Sequence, residues 1–321
     1  MISRNVALFS GILIFFATTF GCGESPQRPS GEEWEPMPLY PRIDGYPAWS
    51  PDGSTIAYYH AGITEVEPNG TAQTDRDLEG IWFIDPDGSH PRLFLNGASQ
   101  PAWSPDGGML AFSGSSSRQI FTVRMDGTGL RRLTDRGCNL APAWSPNGNM
   151  IAYVSDADAE SGFDIWIMHS DGDGIHNFNI EGVDPDWSPN MRYLIYTNNE
   201  GQIWKRNLNY AVVEPVTHFA AVCAEPAYSS DNQRIAFSCF AENSWGMFPI
   251  LKQIFVMDAS GENPIQLTTH GGEQPCWSPD GSRIAYVCRR PQEYCSEHGT
   301  IWVMNADGSD ARQITVSPVP E

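Results

Sequence analysis

Beyond residue 22, the apolar residues of this chain never recur at a helical period. They fall in β-branched and aromatic runs of three to five residues, each closed off by Gly, Pro, Asp or Asn. Short strands joined by tight turns produce that pattern. The runs are also periodic along the chain, and the period decides the fold class. Pro47-Ala48-Trp49-Ser50-Pro51-Asp52-Gly53 returns as Pro101-Ala102-Trp103-Ser104-Pro105-Asp106-Gly107 and as Pro142-Ala143-Trp144-Ser145-Pro146-Asn147-Gly148. Weaker copies stand at 185–190 and 226–232, and a strong one at Pro275-Cys276-Trp277-Ser278-Pro279-Asp280-Gly281. The anchors Trp49, Trp103, Trp144, Trp187, Tyr228 and Trp277 lie 54, 41, 43, 41 and 49 residues apart, the spacing of a repeat architecture.

Each copy continues alike. A strand such as Ile56-Ala57-Tyr58 or Ile284-Ala285-Tyr286 follows the Pro-Asp-Gly turn. A third strand such as Ile165-Trp166-Ile167-Met168 comes after a loop of variable length, and a second Gly turn and a strand ending in Thr close the unit. Pro fixes φ, Asp bonds its own backbone and Gly takes φ > 0, so the turn is a tight hairpin. A four-stranded sheet this small cannot bury both faces alone, whereas six stacked radially can. The expectation is therefore an all-β, six-bladed β-propeller with four antiparallel strands per blade, its Trp anchors packed between blades. Repeat 6 should adjoin repeat 1, with the lead-in Leu39-Tyr40 able to add to the sixth blade's edge.

The repeat resembles the TolB-type, WD-like propeller repeat, whose signature is this Pro-x-Trp-Ser-Pro-Asp-Gly hairpin with a following Asp-Gly turn and Leu-Thr strand. Repeats 4 and 5 depart from it, with Asn190-Met191 in place of Asp-Gly, Tyr228 in place of Trp, and Asn207-Leu208 without the second Gly. The resemblance implies a TolB-like propeller over 39–321 without the α/β domain that precedes the propeller in the family's namesake. Related propellers occur fused to serine peptidases, but no Gly-x-Ser-x-Gly is present here.

The N-terminus supplies an address. Residues 1–21 carry one charge, Arg4, before an apolar run from Val6 to Phe20. That run falls short of the roughly 20 residues of a membrane span and suits a signal-peptide core. Thr19-Phe20-Gly21-Cys22 resembles a bacterial lipobox, which implies a signal peptide over 1–21 and a lipid on Cys22. Residues 22–38 read as a flexible tether. The expected location is the cell envelope, lipid-anchored in the outer membrane and facing the periplasm; cleavage by the general signal peptidase would give a secreted protein instead.

A net charge of −20 disfavours a nucleic-acid partner. Within each repeat the two short Gly hairpins fall on one face, and the variable loops fall on the other. Three insertions elaborate the variable face. Residues 60–79 carry Glu65, Glu67, Asp75, Asp77 and Glu79, and a second insertion carries Asp156, Asp158 and Glu160. The third, residues 240–251, holds Phe240, Trp245, Met247, Phe248, Ile250 and Leu251 and forms the candidate binding patch. His218 and His270, with His60 and His298, lie toward the same face. They form no His-x-His or His/Glu cluster at ligand spacing, so no metal and no cofactor is expected.

Of the cysteines, Cys223 and Cys239 fall opposite each other across a hairpin centred on Asp231, and Cys288 and Cys295 bracket a six-residue loop. Both pairs are disulfide candidates. Cys276 occupies an Ala slot and is expected to be a buried small residue, and Cys138 is unassigned. The function these features support is a binding or scaffold module for a protein or cell-envelope glycan, touching membrane only through its lipid. The alternative is a channel-centred enzyme such as a polysaccharide lyase with a metal at the channel mouth.

Overall fold

A computed structural model describes residues 44–66, 72–158, 162–218, 221–240, 251–288 and 299–315. The strands form six four-stranded antiparallel sheets, each taken from one continuous stretch of chain. Blade 1 holds β1 (Asp44–Trp49), β2 (Ile56–Val66), β3 (Ala72–Ile84) and β4 (Arg92–Asn96). Blade 2 holds β5 (Ala98–Trp103), β6 (Met109–Gly114), β7 (Ile120–Arg124) and β8 (Arg131–Arg132). Blade 3 holds β9 (Asn139–Trp144), β10 (Met150–Ser155), β11 (Asp164–His169) and β12 (His176–Glu181). Blade 4 holds β13 (Val183–Trp187), β14 (Tyr193–Thr197), β15 (Ile203–Asn207) and β16 (Val213–Pro215). Blade 5 holds β17 (Cys223–Tyr228), β18 (Arg234–Phe240), β19 (Lys252–Asp258) and β20 (Ile265–Gln266). Blade 6 holds β21 (Glu273–Trp277), β22 (Arg283–Cys288), β23 (Thr300–Asn305) and β24 (Arg312–Gln313).

First strands of neighbouring blades touch all the way round, including β1 against β21, so the motif-bearing strands ring the centre. Blade 6 meets blade 1 through Asp44 N–H donating to Gly299 O at 3.0 Å and Arg312 Nη2 donating to Pro86 O at 3.3 Å. Blade 6 supplies its own outer strand, β24; Leu39 and Tyr40 lie outside the described residues.

The core is divided among the junctions. Six apolar clusters each straddle one blade pair; Trp49, Ile56 and Tyr58 of blade 1, for example, pack on Val287, Ile301 and Val303 of blade 6. Burial between sheets is what a lone blade could not achieve.

The Ser-Pro-Asp-Gly hairpins explain the motif atom by atom. In blade 6, Ser278 Oγ donates to Asp280 Oδ1 at 2.6 Å and accepts Arg283 N–H at 2.9 Å, while Gly281 sits at φ 68°. Hydrogen bonds from Ser278 Oγ and from the Ser282 N–H and Oγ to its charged form hold the Asp280 carboxyl down at about 2. Blades 4 and 5 keep this turn without Gly: Met191 and Asn232 take φ of 59° and 62°, and Asn190 Oδ1 accepts Arg192 N–H at 3.0 Å.

One expectation is corrected here. Most of the acidic insertion at 60–79 is not loop: β2 and β3 pair as far as Val66 with Ala72, forming a hairpin that outreaches the other blades. The Trp anchors pack at the blade junctions as expected, to different depths. Trp49, Trp187 and Trp277 are buried, but Trp103 and Trp144 are half-buried.

Candidate functional site: an asymmetric channel belt

The residue before each motif proline sets the channel wall. Tyr46, Gln100, Ala141, Asp184, Glu225 and Gln274 all lie at φ between 50° and 58°. Proline cannot donate to the sheet ladder, so each inner strand bulges there. In blade 1, Gly45 pairs with Tyr59 and Ala48 with Ala57, leaving Tyr46 and Pro47 opposite Tyr58 alone. The other bulges likewise oppose one aromatic each: Phe112, Tyr153, Tyr196, Phe237 and Tyr286.

Half-buried side chains alternate with buried ones along these strands, so the pre-proline residues form one tier of the central channel. Ala48, Ala102, Ala143, Asp186, Ala227 and Cys276 form the next tier. Cys276 is a free thiol, half-buried rather than fully buried, that packs against the apolar cluster between blades 6 and 1.

Side chains of the first tier tie blade to blade. Gln100 Oε1 accepts Ala141 N–H at 3.0 Å, Glu225 Oε2 accepts Gln274 N–H at 2.8 Å, and Gln274 Oε1 accepts Tyr46 N–H at 2.8 Å. A buried N–H left without an acceptor is costly, so these contacts both close the ring and fix the rotamers of its lining.

The belt is electrically lopsided. Blades 1 to 3 contribute Tyr46, Gln100 and Ala141, whereas blades 4 to 6 contribute Asp184, Asp186, Glu225 and Glu273 around a single Lys252. Lys252 Nζ lies 3.4 Å from Glu225 Oε1, and Ser238 Oγ donates to Glu225 Oε2 at 2.6 Å. Burial works against the Lys252 ammonium, but Glu225, Glu273 and Asp184 together outweigh it and keep the amine charged. Burial raises the Asp184 carboxyl, and the charge of Glu225 raises it further. Asp186 is pushed up to about 6, chiefly by burial, although it accepts Tyr228 N–H at 2.8 Å. More carboxyl groups than one ammonium can neutralise therefore face one sector of the channel, which favours a cationic visitor.

The raised Asp186 carboxyl yields a pH prediction. The folded state holds this proton more tightly than the unfolded state, so the group's contribution to stability falls as pH rises from about 4 to about 6 and stays unfavourable above. Asp186→Asn keeps the acceptor for Tyr228 and removes the charge. The variant should melt higher than the parent at pH 7 and together with it near pH 4, measured by circular dichroism; equal melting at both pH values contradicts the assignment.

At the blade 6–1 seam, Asp44 Oδ1 meets His60 Nδ1 at 2.8 Å, and the imidazole stands edge-on to Trp82 with centroids 5.6 Å apart. Burial raises the Asp44 carboxyl, while the hydrogen bond to His60 opposes that rise. His60 is thus a strand residue of blade 1 that holds Asp44, whose own N–H reaches Gly299 O of blade 6. His218 and His270 are exposed on the links between blades, and the described residues contain no group of three or more His, Cys, Asp or Glu able to hold a metal.

Among the other candidate residues, Cys22, Trp245, Met247, Phe248, Cys295 and His298 lie outside the described residues. Phe240 is half-buried at the end of β18, directly across from Lys252. A disulfide joins Cys223 to Cys239, stapling the first two strands of blade 5 one residue before Phe240. Cys288 is also disulfide-bonded, to a partner outside the described residues. The apolar insertion thus leaves and re-enters the sheet beside the acidic sector. The Pro-x-Trp motif alone passes over that sector; aligning the residue just before each proline is the signal that finds it.

Comparisons with known proteins agree with this architecture. An uncharacterized protein of Agrobacterium fabrum is 26% identical, covering 79% of this chain and 87% of its own length. The structure of a putative TolB from Agrobacterium tumefaciens is similar, with a TM-score of 0.63 at 23% identity over 78% of this chain and 91% of that one. TolB from Acinetobacter baumannii gives 0.61 at 21% identity over 83% of this chain, which spans 61% of that protein. An oligogalacturonate lyase in complex with manganese shares the fold at 0.54 and 11% identity, over 85% of this chain and 77% of the lyase. The TolB beta propeller domain family matches residues 159–319, half of the sequence. This chain belongs to the TolB beta propeller domain family.

Proposed function

We propose that this propeller is a binding module of the cell envelope that receives a protein partner on its loop-bearing face. One observation carries the reading: the apolar insertion springs from Phe240 and returns at Lys252, beside the Glu225 carboxylate of the acidic channel sector. An aromatic group and a surplus of negative charge then share one entrance. A partner presenting a cationic segment with apolar neighbours matches both, Trp245 and Phe248 acting as anchors and Asp184 and Glu225 as the charged rim. The blade 1 hairpin, standing beyond its neighbours, supplies further surface on that face. Cys22 carries the lipid that tethers the ring, with the outer membrane as its site. The reading is tested by placing a photo-crosslinking residue on either face of the ring and asking which face captures a protein in the envelope.

A further inference from the structure

The opposite, hairpin-bearing face holds a second opening. At most junctions the Trp anchor is covered. The Arg283 guanidinium lies 4.8 Å over the Trp49 ring, Arg234 lies 4.5 Å over Trp277, and Trp103 stacks on Phe83 at 5.3 Å. Between blades 2 and 3 the position held elsewhere by Arg234 and Arg283 is Met109, preceded by Gly107-Gly108. A cleft of about 480 Å³ opens there, walled by Trp144 with Arg124 and Arg131, and bordered by Asp106 and Asp171. Its volume falls in the range of small-molecule sites, about 300–1,000 Å³. The indole N–H groups of Trp144 and Trp49 have no acceptor among the described residues, whereas those of Trp103, Trp187 and Trp277 donate to the carbonyls of Ala48, Ala143 and Ala227.

Charge singles out the same place. Residues 98–138 carry five basic and three acidic side chains, against two and nine in 44–97 and none and seven in 139–181. Blade 2 is thus a cationic wedge between two strongly anionic blades. A half-buried indole offers a flat apolar surface, the Asp106 and Asp171 carboxylates offer hydrogen-bond acceptors at its edge, and two guanidiniums offer carboxylate recognition. A ligand meeting all three has an apolar ring face, a hydroxyl rim and an anionic group.

We propose that the cleft between blades 2 and 3 binds an acidic pyranose, its ring on Trp144 and its carboxylate at Arg124 and Arg131. This site is independent of the protein-binding face. The test is calorimetric titration of the folded protein with methyl glucuronide, methyl glucoside and sulfate, backed by saturation-transfer NMR. The glucuronide should bind at least tenfold more tightly than the glucoside or sulfate. Arg124→Ala should weaken it at least tenfold, and Met109→Arg, which places over Trp144 the cover seen at Trp49 and Trp277, should abolish it. Absence of glucuronide binding, equal binding of the glucoside, or equal binding of sulfate (a simple anion site) overturns the proposal. So does unchanged binding in Arg124→Ala, a surface substitution that decides the matter even where Met109→Arg fails to fold.

Discussion

Replacing Glu225 by alanine is expected to destabilise the ring by about 3 kcal/mol, more than any other single change to the channel lining. The Lys252 ammonium at 3.4 Å and the Gln274 N–H at 2.8 Å lose the Glu225 acceptor at once, and the Ser238 hydroxyl at 2.6 Å is left with the Ala224 carbonyl alone. The Lys252 side chain is only 17% exposed and the Glu225 side chain 18%, so water takes over little of the lost interaction. Asp184 still faces Lys252, which places the cost at the low end for a broken buried pair. For a domain of this size, about 3 kcal/mol corresponds to a melting temperature roughly 6–12 °C lower. Glu225→Gln, which retains an acceptor for the Gln274 N–H, should lose clearly less. Thermal melting followed by circular dichroism measures both, and a fall below about 2 °C for the alanine variant would mean that the channel is solvated and the belt contributes little.

The second large effect concerns binding rather than stability. Trp245→Ala with Phe248→Ala removes the two aromatic anchors assigned to the insertion between Phe240 and Leu251. Aromatic anchors carry a large share of binding energy at protein interfaces. Capture of the envelope partner should weaken more than tenfold, about 1.4 kcal/mol or more, with the melting temperature nearly unchanged. Easy unfolding with capture retained would make the insertion a lid over the blade and place the binding surface elsewhere.

The fold was legible because its information is local and repeated. Ser278, Asp280 and Gly281 need only one another to form their turn, and the same wording recurs around the ring. Where wording and turn part company, at Met191 and Asn232, sheet pairing on both sides holds a non-glycine residue at positive φ. The blade 1 insertion was misread as loop because its polar residues suggest solvent exposure. A hairpin can be exposed too, and Ile63, one of its few apolar residues, is buried.

The site was harder to read. Glu225 and Lys252 stand on different strands of blade 5 and Asp184 on blade 4, so strand pairing and the stacking of neighbouring blades bring them together. The covering of Trp49 by Arg283 and the uncovering of Trp144 also depend on which residue a neighbouring blade presents. Repeat alignment reveals such columns of residues, but it leaves unsaid which of them face each other across a junction.

The central claim, that a protein partner sits on the loop-bearing face, is tested most directly by crosslinking from the two faces of the intact chain in cells. A photoreactive residue at Thr64, on the projecting hairpin of blade 1, reports on the loop-bearing face, and one at Thr128, in the exposed turn between β7 and β8, reports on the hairpin face. A discrete protein adduct that forms from position 64, is absent from position 128 and disappears when Trp245 and Phe248 are alanine is the predicted result. Adduct formation from position 128 alone, or an adduct from position 64 that survives the double substitution undiminished, would contradict it.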